Sequence, residues 1–130
     1  MHIKIEPAEI SQETQLRILY EKVADRSGGI IRKKSEIKNE YISGFRESST
    51  KNGLILVALI NDTIVGEIHA YTPDIYAFQH ILTDLTIVVD PDYQSQGIGR
   101  QLFEEFLNIV QKQYNHILEV NRIIRQKQFQ

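Results

Sequence analysis

Residues 82–107, LTDLTIVVDPDYQSQGIGRQLFEEFL, place a strand, a polar loop and a helix in one continuous segment. The β-branched run Thr83–Val89 ends at Asp90 and a proline, which predicts a buried strand that meets a turn. From Leu102 onward apolar residues recur with helical spacing, which predicts an amphipathic helix over about 97–113. This segment organises the fold.

The polar loop Gln94–Arg100 carries two glycines, Gly97 and Gly99. A glycine loop that feeds a helix N-terminus exposes backbone N–H groups, and the helix dipole adds partial positive charge there. The pattern therefore predicts an anion site, most simply for a phosphate or pyrophosphate. The glycines by themselves are equally compatible with a simple turn. The loop matches neither the dinucleotide-binding nor the P-loop glycine pattern.

Composition limits the class of protein. The 130 residues, 42% hydrophobic and 25% charged, predict a single globular domain over residues 1–130. The net charge of −2 argues against a nucleic-acid partner. The absence of cysteine excludes disulfides, thiolate metal sites and cysteine nucleophiles. The sequence shows no membrane-spanning run, no signal peptide and no metal-ligand pattern, so we expect a cytoplasmic protein without a metal.

The remaining chain predicts further strands and helices around this segment. A hairpin with a two-residue turn is the clearest of them, and Gly66 inside its second strand indicates a bulge or a close backbone approach. The expected elements are a strand at His2–Glu6, helices at Ser11–Asp25 and Ser35–Ser49, hairpin strands at Leu54–Ile60 and Thr63–Tyr71, and a last strand at His116–Val120.

The loop and the hairpin together resemble the GNAT superfamily of acyl-CoA-dependent N-acyltransferases. Its Gln/Arg-x-x-Gly-x-Gly/Ala loop is matched here after a Val-x-Pro-x-Tyr sequence, and Ile64-Val65-Gly66 matches its hairpin. The resemblance covers residues 54–121 well and 1–53 loosely. It implies an α/β fold with a mixed, mostly antiparallel sheet flanked by helices. The matching loop residues are Val89, Pro91, Tyr93, Gln94, Gly97 and Gly99.

The resemblance also implies that acetyl-CoA is the co-substrate and that no acyl-enzyme forms. Loop amides and the Arg100 guanidinium would hold the pyrophosphate, while the backbone of Ile87–Val89 would meet the pantetheine arm and the oxyanion. The implied cofactor-binding residues are Ile87, Val88, Val89, Gln94, Ser95, Gln96, Gly97, Ile98, Gly99 and Arg100.

A general base must deprotonate the acceptor amine. Asp84 on the central strand and Glu119 on the neighbouring strand are the two catalytic candidates, although a structural role for Asp84 is equally compatible with its position. Glu67 and His69 share a face of the second hairpin strand and are further candidates. The loop after that strand offers candidates for an acceptor pocket, with a surface role as the alternative: Tyr76, Phe78 and His80.

After Asn121 the sequence departs from the family pattern, and no tyrosine is available to protonate the leaving thiolate. We interpret this as a truncated C-terminal motif or one completed by a neighbouring chain. An uncovered strand edge makes a homodimer plausible. The predicted function is transfer of an acetyl group from acetyl-CoA to a small primary amine by direct attack in a ternary complex. The alternatives are a non-catalytic acyl-CoA-binding or degenerate GNAT module, and a purely structural domain.

Overall fold

The computed structural model describes residues 2–26, 34–72 and 83–113 of the chain. Short 3-10 turns at Ile10–Gln12, Lys34–Glu36 and Pro91–Tyr93 connect its main elements. In chain order these elements are β1 (Lys4–Pro7), α1 (Glu13–Asp25), α2 (Asn39–Asn52), β2 (Gly53–Ile60), β3 (Thr63–Tyr71), β4 (Thr83–Val89) and α3 (Ile98–Gln113).

The four described strands form one sheet in the order β1-β2-β3-β4, and each neighbouring pair is antiparallel. This arrangement confirms the predicted α/β fold with a mostly antiparallel sheet flanked by helices. The strand expected at His116–Val120 lies outside the described residues.

The predicted hairpin is present with the predicted two-residue turn. Asn61 and Asp62 adopt φ angles of 51° and 64°, and Ile60 pairs with Thr63 across the turn. Two successive positive φ angles define a type I′ turn, whose twist matches that of the flanking strands. Asn and Asp tolerate this conformation better than most residues, which explains their place here.

A β-bulge lies just after this turn. Leu59 pairs with Ile64 whereas Ala58 pairs with Gly66, so Val65 is an extra residue in β3. This pairing confirms the predicted bulge. A Cβ on Gly66 would lie 3.0 Å from Leu102 Cδ1 in α3, which confirms the predicted close approach.

Two apolar clusters cover the two faces of the sheet. On the α3 face, strand residues such as Leu56, Ile68 and Leu85 pack against α3. On the α1/α2 face, residues such as Val57 and Val88 pack against the other two helices. The helix residues that are buried on these faces are Ile98, Leu102, Phe106 and Val110 of α3, Leu16, Leu19, Tyr20 and Val23 of α1, and Ile42 and Phe45 of α2.

Both N-terminal helices begin later than the periodicity predicts. Before α1, the Gln12 side chain accepts a hydrogen bond of 2.8 Å from the Glu9 N–H, which stabilises a 3-10 turn in place of the first helical residues. Before α2, Lys38 has an extended backbone with φ −109° and ψ 165°. Ile37, expected on a helical face, is therefore buried from outside the helix.

Candidate active site

The turn that ends β4 is fixed by the Asp90 carboxylate. Its Oδ1 accepts the Asp92 N–H at 2.9 Å, while its backbone carbonyl accepts the Tyr93 N–H at 2.8 Å. Pro91 begins this 3-10 turn, where its fixed φ is favourable. The strand therefore stops at the position that the sequence predicts, and the polar loop begins beyond it.

Two residues of the loop adopt left-handed backbone conformations, Ser95 with φ 65° and Gly97 with φ 83°. A Cβ on Gly97 would meet no atom within 4 Å, so its backbone angle, and not a lack of space, favours glycine. The Gly97 carbonyl accepts the Gln101 N–H at 3.0 Å as the first bond of α3. The amides of residues 98–100 therefore have no partner inside the helix and lie at its positive end.

A cavity of about 350 Å³ lies between the end of β4, this loop and the start of α3. Val23 of α1 and Phe103 of α3 also contribute to its wall, and neither residue was predicted from the loop pattern. The exposed Gln96 and Arg100 belong to the same loop and helix end but not to the wall. Eight of the ten predicted cofactor-binding residues line the cavity: Ile87, Val88, Val89, Gln94, Ser95, Gly97, Ile98 and Gly99.

The end of α1 is bound to the start of the loop by ion pairs. Lys22 Nζ lies 2.8 Å from Asp90 Oδ1 and 2.7 Å from Asp92 Oδ2, and Arg26 contacts Asp92 at 3.3 Å. The hydrogen bonds to Asp90 and Asp92 raise the pKa of Lys22, and the hydrogen bond from Lys22 lowers the pKa of Asp92. No sequence pattern linked these residues, which are separated by about seventy positions.

A buried hydrogen-bonded cluster lies on the α1/α2 face, one strand inward from the cavity. Glu67 is fully buried, and its Oε1 accepts a hydrogen bond from the Tyr20 hydroxyl of α1. His69 Nδ1 lies 2.7 Å from the other carboxylate oxygen, Oε2. Burying a carboxylate without such partners is costly, so these two contacts are what makes the position tolerable.

Aromatic rings enclose the histidine. The His69 ring stacks on Phe45 of α2 with centroids 4.2 Å apart and an interplanar angle of 6°, and it lies parallel to Tyr71 at 6.4 Å. Phe45 also contacts the Tyr20 ring at 5.1 Å. Burial, together with the Glu67 charge, raises the pKa of Tyr20 well above its usual value. The sequence placed Tyr20 only on a buried helical face and gave no sign of its polar contact.

The remaining candidates lie wholly or partly outside the part of the chain that the structure describes. Asp84 lies in β4, but its side chain is outside the described part of the molecule. His69 pairs with Thr86 and Tyr71 with Thr83, so β4 has an extra residue between these pairs and the alternation used to orient Asp84 is interrupted. Glu119, Tyr76, Phe78 and His80 fall outside the described residues.

Two further observations concern only residues 2–26, 34–72 and 83–113. This part of the chain contains no group of three or more His, Asp or Glu side chains that could hold a metal ion. None of its helices is both long and apolar enough to cross a bilayer.

The fold and the strand-loop-helix site define an α/β domain of the acetyltransferase type, as comparison with known proteins shows. The sequence profile described as "Acetyltransferase (GNAT) domain" matches residues 51–129, more than half of the chain. The chain therefore belongs to the GNAT acetyltransferase family. A search of curated protein sequences gave no match.

Solved structures of other acetyltransferases share the fold. A GNAT acetyltransferase from Streptococcus pneumoniae superposes with a TM-score of 0.71 at 22% identity, covering 82% of this chain and 66% of that one. The yncA protein of Salmonella typhimurium, solved with its cofactor acetyl-CoA, gives 0.72 at 16% identity and coverages of 86% and 65%. The paiA N-acetyltransferase of Thermoplasma acidophilum, in complex with coenzyme A, gives 0.69 at 20% identity and coverages of 86% and 74%. The chain thus spans about two thirds of the length of the first two structures.

Proposed function

We propose that this protein binds acetyl-CoA in the cavity beside β4 and transfers the acetyl group to a primary amine. The observation that carries the proposal is the convergence of eight predicted cofactor-binding residues on one cavity of about 350 Å³. That volume lies within the range of small-molecule sites. Structural neighbours that hold acetyl-CoA or coenzyme A support the choice of ligand.

The start of α3 suits a pyrophosphate. Its first amides, at residues 98–100, point out of the helix, and the left-handed Gly97 lets the loop turn without a side chain in the way. Arg100 is exposed in the first turn, where a guanidinium can pair with phosphate oxygens. In this proposal Gln94, Ser95 and Gln96 complete the loop around the anion.

The edge of β4 suits the pantetheine arm. Ile87, Val88 and Val89 pair with β3 on one side and line the cavity on the other. Among the described strands β4 pairs only with β3, so in this proposal the backbone N–H groups on its other side serve both the arm and the oxyanion of a tetrahedral intermediate. This role depends on the backbone, so it places little demand on side-chain identity.

The chemistry is direct acyl transfer in a ternary complex. The ammonium loses a proton to a base, the amine nitrogen attacks the thioester carbonyl to form the tetrahedral intermediate, and collapse of this intermediate breaks the C–S bond. The thiolate takes up the second nitrogen-bound proton, which yields an acetamide and free coenzyme A. Asp84 and Glu119 remain the candidate bases given by the family resemblance.

Isothermal titration with acetyl-CoA tests the binding step. The Gly97→Asp variant introduces a side chain at a positive φ and a negative charge in the pyrophosphate loop, so we expect it to abolish binding. Gly44→Asp is the matched control, because Gly44 is exposed on α2 and a Cβ there would meet no atom within 4 Å. The control should bind like the wild-type chain. Absence of wild-type binding at millimolar acetyl-CoA, or equal binding by Gly97→Asp, would refute the proposal.

Release of free thiol from acetyl-CoA tests the transfer step. The assay uses an alkylamine, a diamine and a peptide with a free N-terminus as acceptors. Thiol release that depends on one of these amines supports the enzyme, whereas binding without release supports a non-catalytic module. The cytoplasmic location, the single domain over residues 1–130 and the homodimer also remain predictions, which cell fractionation, limited proteolysis and light scattering test.

A further inference from the structure

The buried cluster on the α1/α2 face holds a carboxylate with both oxygens engaged. Glu67 is fully buried and His69 is only 2% exposed, so water does not solvate either side chain. A buried carboxylate on a strand face is expensive, and a leucine would pack there without that cost.

The contacts of His69 determine which of its ring nitrogens carries the proton. The Glu67 carboxylate is an acceptor, and the Tyr20 hydroxyl already donates to Oε1. The 2.7 Å contact between Oε2 and His69 Nδ1 therefore places the ring proton on Nδ1. In the neutral ring Nε2 then carries the lone pair, and the geometry of imidazole directs it away from Glu67.

The cluster lies directly behind the wall of the proposed acetyl-CoA cavity. Glu67 is the cross-strand partner of Val88, which lines the cavity, and His69 is the partner of Thr86, one residue before the lining Ile87. On the helix side, Val23 also lines the cavity, one turn beyond Tyr20. Two separate elements thus connect the cluster to the cavity wall.

Two residues next to the imidazole are partly exposed to solvent. Tyr71, which stacks over the ring, and Thr86, opposite it on β4, are both only partly buried. A bridging water molecule transmits a proton without the ring itself being exposed.

We propose that His69, through one water molecule, accepts the proton of the acceptor ammonium, and that Glu67 and Tyr20 are positioning residues that fix its Nδ1–H tautomer. This inference rests on the proposed acetyl transfer. The proton moves from the ammonium to water and from that water to Nε2, the freed amine attacks the thioester, and the imidazolium later returns its proton to solvent. The stacked Phe45 holds the ring plane during both steps.

Other ionisable groups on the elements that pack around this ring must be considered in any pH profile. The Arg46–Glu13 ion pair joins α1 and α2 one position beyond Phe45, and the hydrogen bond from Arg46 lowers the pKa of Glu13. The titratable groups that contact the ring or its partners are Glu67 and Tyr71 on β3, Tyr20 on α1 and Tyr41 on α2, and the neighbouring strand β4 carries Asp84.

Two substitutions at His69 separate its chemistry from its packing. His69→Asn keeps a donor near the Nδ1 position for Glu67 but has no basic nitrogen, whereas His69→Gln places an amide near Nε2 and loses the contact with Glu67. We expect kcat with the best amine of the panel to fall by about 10²- to 10⁴-fold in both variants, with the acetyl-CoA Kd unchanged. His2→Asn, at an exposed histidine, should keep the wild-type rate.

Two further measurements are the pH dependence of kcat/KM and the tautomer of His69. A purely structural role of His69 would change neither of them. If His69 is the base, the low-pH limb of the wild-type kcat/KM profile should be missing from the residual activity of His69→Asn. In ¹⁵N spectra, the resonance that His69→Asn removes should show an Nδ1–H tautomer, and Glu67→Gln should shift it towards Nε2–H.

The outcomes distinguish this inference from the proposed function. An active wild-type chain combined with a fully active His69→Asn variant, or an Nε2–H tautomer in the wild-type spectrum, overturns the role of His69 alone. Loss of the low-pH limb in Asp84→Asn but not in His69→Asn assigns the base to Asp84 instead. Failure of the wild-type chain to bind acetyl-CoA overturns the proposed function itself.

Discussion

The two faces of the sheet are built from different kinds of residue. The α3 face is an apolar interface between strand residues such as Leu56 and Ile68 and the helix residues Leu102 and Phe106. The buried polar and charged residues of the described strands and helices lie instead in α2 and β3: Arg46, Ser49, Glu67 and His69. The comparison indicates that the α3 face mainly provides stability. The α1/α2 face carries polar groups whose burial costs free energy, so stability alone does not explain their presence.

The largest losses of stability are expected when either of two phenylalanines, one on each face, is replaced by alanine. Phe106 is 0% exposed and Phe45 is 5% exposed, so each replacement by alanine should destabilise the fold by about 3–5 kcal/mol. Only Phe45 stacks on His69, so only Phe45→Ala should change the His69 resonances. Urea unfolding and ¹⁵N spectra measure the two effects, and equal perturbation of His69 by Phe106→Ala would remove the distinction between the faces.

A smaller effect is expected from Tyr20→Phe, which removes the hydroxyl that donates to Glu67. Hydrogen bonds to charged groups contribute about 1.5–3 kcal/mol, so we expect a loss of stability of that order at neutral pH. Ile18→Ala, at an exposed apolar residue of the same helix, is the control and should change stability little.

The same substitution should also alter the response of stability to alkaline pH. Because burial raises the folded-state pKa of Tyr20, the folded state retains a proton that the unfolded state loses above about pH 10. Wild-type stability should therefore decline as the pH rises above that value, and Tyr20→Phe should lack this component of the decline. Parallel curves for the two proteins between about pH 9 and 11 would contradict the buried hydroxyl.

The smallest changes in stability are expected when either of two glycines is replaced by alanine. Gly66→Ala places a methyl group 3.0 Å from Leu102 Cδ1 and 3.1 Å from Ile98 Cγ2, so it should destabilise the tightly packed α3 face by about 1–3 kcal/mol. Gly44→Ala, on the exposed side of α2, should stabilise the helix by about 0.5–1 kcal/mol. Thermal unfolding measures both shifts, and a stabilising Gly66→Ala would show that the close approach is loose.

The sequence predicted most of the α3 face because local signals agree there. The spacing of Leu102 and Phe106, the strand Thr83–Val89 and the turn at Asn61-Asp62 each depend on nearby residues alone. The loop Gln94–Gly99 was also recognised, and its residues meet around the cavity.

The polar cluster was only partly predictable. Strand alternation placed Glu67 and His69 on one face, but their contacts with Tyr20 and Phe45 depend on how α1 and α2 pack across the sheet. Such contacts are nonlocal, and no spacing rule reports them. The starts of α1 and α2 were misplaced for a local reason, since side-chain and 3-10 contacts replaced the first helical turn.

The bulge at Val65 has a consequence for how β3 can change during evolution. The extra residue sets the phase of all later positions in the strand, since Val65 and Gly66 both belong to the α3 side before alternation resumes. Deleting one residue here would turn Glu67 towards the leucines and phenylalanines of α3, with no donor to receive it. Substitutions along this strand are therefore easier to tolerate than a change in its length.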